Sequence, residues 1–288
     1  MNKKIIVFFH IYNTDLIDEY LFYLNNIKQS NYNFDLYISI CHEVVTENIL
    51  LTLHNFHNNV FITECENRGA DIGGFFSTLR NFDIDTRNYC ACMYLHTKKS
   101  KQYGDSGIYW RRSLLNDTLI SYKLVNFCVE NITNNGIIAS NKCITRIGRS
   151  FYDNEQSLYN SLCTILNIPE TPNGYFVAGT IFWMNMKILD IIIKSSITCN
   201  NFDTKFAHSG LLEHGFERIF GTISEYLNLP VLGINLNITN KIYKLKFCPF
   251  KTDHMLYTTI TINTDISLPN EDEIYIKYII KKKFIHKY

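Results

Sequence analysis

The strongest constraint on this chain is the alternation in its first 65 residues. Residues 4–10, 34–40 and 60–65 are short runs rich in β-branched and aromatic side chains, the first reading K-I-I-V-F-F-H. Runs of that kind suit strands buried on both faces, as in a parallel sheet. Amphipathic helical patterns lie between them. Thr14 and Asp15 offer an N-cap for a helix to about Gln29, and residues 43–56 carry a second helix. Strand and helix alternating in this way predict an α/β fold with a mostly parallel central sheet and helices on both faces.

The alternation continues downstream. The spacing predicts a short helix over 73–81, a fourth strand over 89–96, a polar loop over 97–107 and helices over 109–118 and 121–132. A short strand at 136–140, a basic loop at 141–153 and a helix at 154–167, closed by Pro169, follow. Then come an apolar strand at 176–184 and helices at 186–194 and 210–227, with a β-like, less regular pattern beyond Pro230. No repeat or linker interrupts the chain, so residues 1–230 read as one domain and 231–288 as an extension packed on it.

Composition narrows the functional classes. With 288 residues and 46% hydrophobic content the chain fills a continuous core. A formal charge of +1 gives no global field to draw it onto nucleic acid, so an anionic ligand has to be held by a local cluster. Nine cysteines, an odd number without C-x-x-C spacing, read as reduced core thiols of a cytosolic protein rather than a disulfide frame or a zinc site. The apolar stretch before His10 is five residues, too short for an export signal. No run approaches the ~20 apolar residues that span a bilayer. The tail 275–288 mixes five lysines with Ile, Tyr and Phe, which makes it a candidate for peripheral contact with an anionic membrane; a solvated basic end is the simpler reading.

In open α/β sheets ligands sit beyond the carboxyl ends of strands, so the residues following each strand carry the functional weight. His10 ends the first strand. After the third comes E-N-R-G-A-D-I-G-G, residues 66–74, where Asn67, Arg68, Gly69 and Asp71 form a glycine-rich turn able to cradle phosphate. Asp71 also stands where a helix N-cap would. The spacing matches neither a dinucleotide fingerprint nor a P-loop. After the fourth strand, L-H-T-K-K-S sets His96, Lys98 and Lys99 where they neutralise a diphosphate, or else form a solvated loop. Arg111 and Arg112 open the next helix, and one or the other is expected to reach the same phosphates. Gly179, inside Y-F-V-A-G-T-I-F-W, marks either close approach by a sugar or helix packing. Finally Glu213 and Glu217 share a helix face with His214 between them, suited to taking a proton from an acceptor hydroxyl or to pairing with Arg218.

These stretches, F-F-H-I-Y, E-N-R-G-A-D-I-G, Y-L-H-T-K-K-S with Y-W-R-R-S-L-L, F-V-A-G-T-I-F-W and H-G-F-E-R-I-F-G, occur in an order that resembles the rhamnan synthesis F family of polysaccharide glycosyltransferases. The resemblance covers about residues 1–225. It implies a glycosyltransferase A-like fold and transfer of a deoxyhexose, typically rhamnose from a dTDP donor, onto a surface polysaccharide. It carries over to Asn67, Arg68, Gly69, Asp71, His96, Lys98, Lys99, Trp110, Arg111, Gly179, His214, Glu217 and Arg218. Ala70 departs from it, standing where the family more often has a second arginine.

Many enzymes of that fold hold a divalent metal on Asp-x-Asp after the fourth strand. Here that place reads His96-Thr97-Lys98, and Asp83 and Asp85 precede the strand. The expectation is therefore an inverting transferase with a nucleotide-sugar donor, a glycan acceptor and no required cofactor or metal, with Lys98, Lys99 and Arg68 jointly seating the diphosphate. Glu217 is the first choice of general base, ahead of Glu213 and Asp71. The competing readings are a non-catalytic nucleotide-sugar or glycan-binding module and a nucleotidyltransferase.

Overall fold

The unbroken apolar run near the amino terminus forms β1 (Lys4–Ile11), the centre of a parallel block. The computed structural model describes residues 4–236 apart from 150, 153, 206 and 208, and the backbone of 237–239, 242–249 and 258–263; the lysine-rich tail at 275–288 lies outside the described residues. β2 (Phe34–Cys41), β3 (Val60–Cys65) and β4 (Tyr89–His96) complete the block in the order β3-β2-β1-β4, every pair parallel. Ile5 through Phe9 are at most 1% exposed, so both faces of β1 are covered and the run has no polar alternation.

Two helices, α1 (Ile17–Lys28) and α2 (Glu47–Phe56), carry the chain outward from β1 to β3, and α3 (Ala70–Asn81) brings it back across β1 to β4. Right-handed crossovers therefore put α1 and α2 on one face and α3 on the other. α4 (Asp105–Leu119) and α5 (Tyr122–Asn131) pack against α1 and lead to β5 (Ile137–Ser140). β6 (Ile144–Arg146) and β7 (Tyr175–Val177), on either side of α6 (Glu155–Leu166), make a separate antiparallel pair. β8 (Phe182–Met184) enters the main sheet between β4 and β5, antiparallel to both. After α7 (Met186–Lys194) and α8 (Leu212–Tyr226), β9 (Val231–Thr239) pairs parallel with β5, and β10 (Ile242–Pro249) and β11 (Thr258–Asn263) extend the edge antiparallel.

The α/β class and the first four strands follow the sequence expectation. The apolar stretch 176–184 does not form the single strand expected. It breaks at Gly179 (φ +99°) and Thr180 (φ +46°), because its first half pairs with β6 in the small sheet and its second half with β4 and β5. The loop expected at 141–153 contains β6, and α4 begins at Asp105, four residues ahead of the predicted start at 109. The sheet also runs through the boundary expected at 230, since β9 belongs to it.

An aromatic cluster binds α8 to α3 and the sheet. Phe76 meets Phe216 edge-on at 5.0 Å, Phe182 meets Phe220 at 5.2 Å, and Tyr94 lies 5.7 Å from both Phe182 and Phe220. Gly221 lets α8 approach β7, for a Cβ there would stand 1.9 Å from the Tyr175 carbonyl oxygen. Gly221→Ala is expected to cost about 2–3 kcal/mol of stability by pushing α8 off β7. Urea denaturation with an unchanged m-value checks this; a loss below about 0.5 kcal/mol would show that α8 has room to move.

Candidate functional site

The turn between β7 and β8 collects the polar groups of four other elements. The Gly179 N–H donates to Glu217 Oε1 of α8 at 2.7 Å. The Gly179 carbonyl accepts from His96 Nε2, at the end of β4, at 3.0 Å, which puts the imidazole proton on Nε2. The Thr180 hydroxyl donates to Asp71 Oδ2 of α3 at 2.6 Å, and Tyr94 OH donates to the same oxygen at 3.0 Å. The Ala178 carbonyl accepts from Trp110 Nε1 at 3.2 Å, and Lys98 Nζ lies 4.0 Å above the Trp110 ring. The space over Gly179 is filled by Leu114, Lys98 and Trp110, so its glycine is required by packing and by its positive φ.

Asp71, His96, Lys98, Gly179 and Glu217 thus meet at one place, beside the carboxyl end of β4 and between α3 and α8. Asp71 does not cap α3: Gly69 is the N-cap residue, and the carboxylate turns inward to Tyr94 and Thr180. Thr97 ties the loops after β1 and β4 together, its hydroxyl accepting from the N–H groups of Tyr12 and Asn13, both at 2.9 Å.

Other expected site residues are engaged elsewhere. Arg68 pairs with Glu66 at 3.1 Å and donates to the Phe202 carbonyl at 2.9 Å, whereas Lys98 lies over Trp110, so the two cations have different protein partners. Lys99 pairs with Asp15 at 2.5 Å, and buried Arg111 pairs with Glu19 at 2.8 Å. Gly69 packs against Phe202, and half-buried Asn67 precedes Arg68 in the turn. His214 Nδ1 accepts from the Leu211 N–H at the start of α8. Arg218 is buried against Glu155 at 2.8 Å. His10 is 4% exposed and faces Ser39 and Cys41, and burial pushes its pKa down to about 4, leaving the ring neutral.

The electrostatics separate the carboxylates. Burial alone would raise Asp71, but the His96 imidazole, the Thr180 hydroxyl and Lys98 outweigh it and hold the group below its usual range. Glu217 is raised by burial, against Arg218, the Gly179 N–H and Lys98. Glu213 goes further: burial first, then repulsion from Asp71 and Asp203, pushes it up to about 7, and its Oε2 is buried without a hydrogen-bond partner. Burial pulls Lys98 down, opposed by Glu217 and Asp71. Among the described residues no trio of carboxylates converges on this face.

Thr180 and Tyr94 are site residues that the sequence reading passed over. Thr180 stood beside Gly179 in F-V-A-G-T, but it drew no attention inside what looked like a continuous strand. Tyr94 was indistinguishable from the other apolar residues of β4.

A profile described as rhamnan synthesis protein F matches residues 1–227. That match is to a family of rhamnan, hence polysaccharide, synthesis. The chain belongs to the rhamnan synthesis protein F family. Comparison with curated proteins gave no match. Among solved structures, S. aureus TarS (residues 1–349) aligns at 11% identity with a TM-score of 0.39, over 77% of this chain and 56% of that one, little more than half its length. The galactosyltransferase LgtC, solved with donor and acceptor sugar analogues, aligns at 12% identity with a TM-score of 0.36, over 75% of this chain and 70% of that one. Superpositions this loose carry no argument about the site.

Thr180→Val removes the shortest bond to Asp71 and is expected to cost about 1–2 kcal/mol at neutral pH. Because the folded pKa of Asp71 is depressed, its ionised form adds stability above about pH 4 that is lost as pH falls through the lower folded value. The Thr180→Val deficit should therefore shrink in acid, as read from denaturation midpoints across pH. A deficit constant with pH would mean that Thr180 does not act through the Asp71 charge.

Proposed function

We propose that this chain is an inverting glycosyltransferase that moves a deoxyhexose, rhamnose being the family's expectation, from a nucleoside diphosphate donor onto a growing polysaccharide. The observation that carries the reading is the convergence of Asp71, His96, Lys98 and Glu217 on the 178–180 turn, in a chain whose family is one of polysaccharide synthesis. It lies beside the carboxyl end of β4, where an α/β sheet of the glycosyltransferase A kind receives a ligand. Lys98 is the cation offered to the diphosphate, with Lys99, Arg68 and Arg111 contributing through the loops and helices they brace.

The general base in this reading is Glu213 rather than Glu217. Glu217 spends one oxygen on the Gly179 N–H and holds the turn, whereas Glu213 has a free oxygen and a pKa near the working range. Glu213 takes the proton of the acceptor hydroxyl, the acceptor oxygen bonds to the anomeric carbon, and the bond to the diphosphate oxygen breaks, releasing the nucleoside diphosphate with inverted stereochemistry.

Two measurements test this. First, kcat/KM should rise with pH through about 7, the raised Glu213 value, because the base works only when deprotonated. Glu213→Gln should lose about 10²–10⁴-fold in rate with donor binding kept. If Glu213→Gln keeps its rate and Glu217→Gln loses it, the base is Glu217; if the wild type binds dTDP-, UDP- or GDP-sugars in a thermal-shift screen yet never hydrolyses or transfers them, the chain is a binding module. Second, transfer should persist in EDTA. Loss restored by manganese and not by zinc would place a catalytic metal at the diphosphate and overturn the role given to Lys98.

A further inference from the structure

Next to the donor face, but inside the protein, three soft ligands close the carboxyl ends of the first three strands. His10, Cys41 and Cys65 are 4%, 0% and 6% exposed, and one ligand atom from each, an imidazole nitrogen and two sulfurs, lie within 4.8 Å of one another. The sheet register brings them together, for Cys41 stands opposite Cys65 in the β2–β3 pair, and His10 stands opposite Ser39 in the β1–β2 pair.

More than a chance meeting of core thiols is present. The imidazole is aimed: Nδ1 lies 2.9 Å from Ser39 Oγ, while Nε2 faces Cys41 Sγ at 3.9 Å. A ring held through one nitrogen by an oxygen partner, with the other turned to the ion, is the usual arrangement of a metal-bound histidine. Room has been left for that ring, because a Cβ on Gly74 would stand 2.1 Å from His10 Nδ1. The spacing also fits. Nitrogen at ~2.0–2.1 Å and sulfur at ~2.3 Å from a tetrahedral ion lie roughly 3.5–3.8 Å from each other. Charge fits as well, since two thiolates and a divalent ion form a neutral unit, which suits a buried position far better than a bare cation.

We propose that His10, Cys41 and Cys65 form a zinc site that clips the ends of β1, β2 and β3 together. Water completes the tetrahedral shell, as at other zinc sites with three protein ligands. Two sulfurs and an imidazole select zinc over magnesium or manganese, so this site is distinct from any metal at the donor phosphates. Binding exchanges protons for metal without redox change: Zn²⁺ displaces the hydrogen of each thiol, forming two Zn–S bonds and releasing two protons. The proposal is independent of the transferase reading.

The test uses the full chain, purified without a histidine tag, and Zn²⁺ or Co²⁺ alone as probe. One equivalent of zinc should be taken up against a chromophoric chelator, and cobalt should give thiolate charge-transfer and tetrahedral d–d bands. Cys41→Ser and Cys65→Ser should abolish the stoichiometric uptake. Ser39→Ala, which leaves all three ligands in place, should weaken it about 10–100-fold. Cys199→Ser, outside the cluster, should leave it unchanged. Should the ligand variants fail to fold, zinc-edge X-ray absorption of the wild type decides, with two sulfurs at ~2.3 Å and an imidazole nitrogen at ~2.0–2.1 Å expected. Failure of the folded wild type to take up zinc, or a shell of oxygen and nitrogen alone or of four sulfurs, would overturn the proposal.

Discussion

The geometry of the site depends on the turn at residues 178–180, because three helices and a strand bond to its backbone and hydroxyl. Glu217 of α8 and His96 of β4 hold the two peptide groups of Gly179, Asp71 of α3 holds Thr180, and Trp110 of α4 holds Ala178. These bonds lie in a partly buried, low-dielectric place, where a made bond is strong and an unmade one costly. A turn with two successive positive φ values is strained for most residues, so it persists only where the surroundings fix it. The site is in this sense built before any ligand arrives.

Its charges follow from the same packing. The imidazole, hydroxyl and ammonium groups around Asp71 favour its ionised form, while Glu213, buried beside that negative charge, is driven toward the neutral form. Carboxylates whose environments push their pKa values apart are suited to different tasks. The cations divide too. Arg68 and Lys99 pair with acidic loop residues and Arg111 ties α4 to α1 through Glu19, whereas Lys98 is set over an indole and between two carboxylates within the cluster.

Much of this was legible in the sequence, but unevenly. The strands β1 to β4 announced themselves because a strand buried on both faces leaves an unbroken apolar run. Asp71, His96 and Lys98 were singled out because they follow strands, Gly179 because it interrupts an apolar run and Glu217 because it shares a helix face with Glu213, and they do meet. The pairing of Arg68, Lys99 and Arg111 with Glu66, Asp15 and Glu19 was not legible, since a charged loop residue looks the same whether it awaits a ligand or already has a partner. Thr180 and Tyr94 were hidden inside apolar stretches. The break at Gly179 was read as a possible contact point, yet the division of one apolar run between two sheets left no periodicity to find.

The sequence by itself determined the α/β class, the order of the first strands and helices, and the family, because these depend on local hydrophobic pattern and on motifs contiguous in the chain. Tertiary structure alone decided which carboxylate is left with a free oxygen, which cations are already neutralised, and that His10, Cys41 and Cys65 face one another. Those outcomes depend on strand register and on burial among residues far apart along the chain, and no local spacing encodes them.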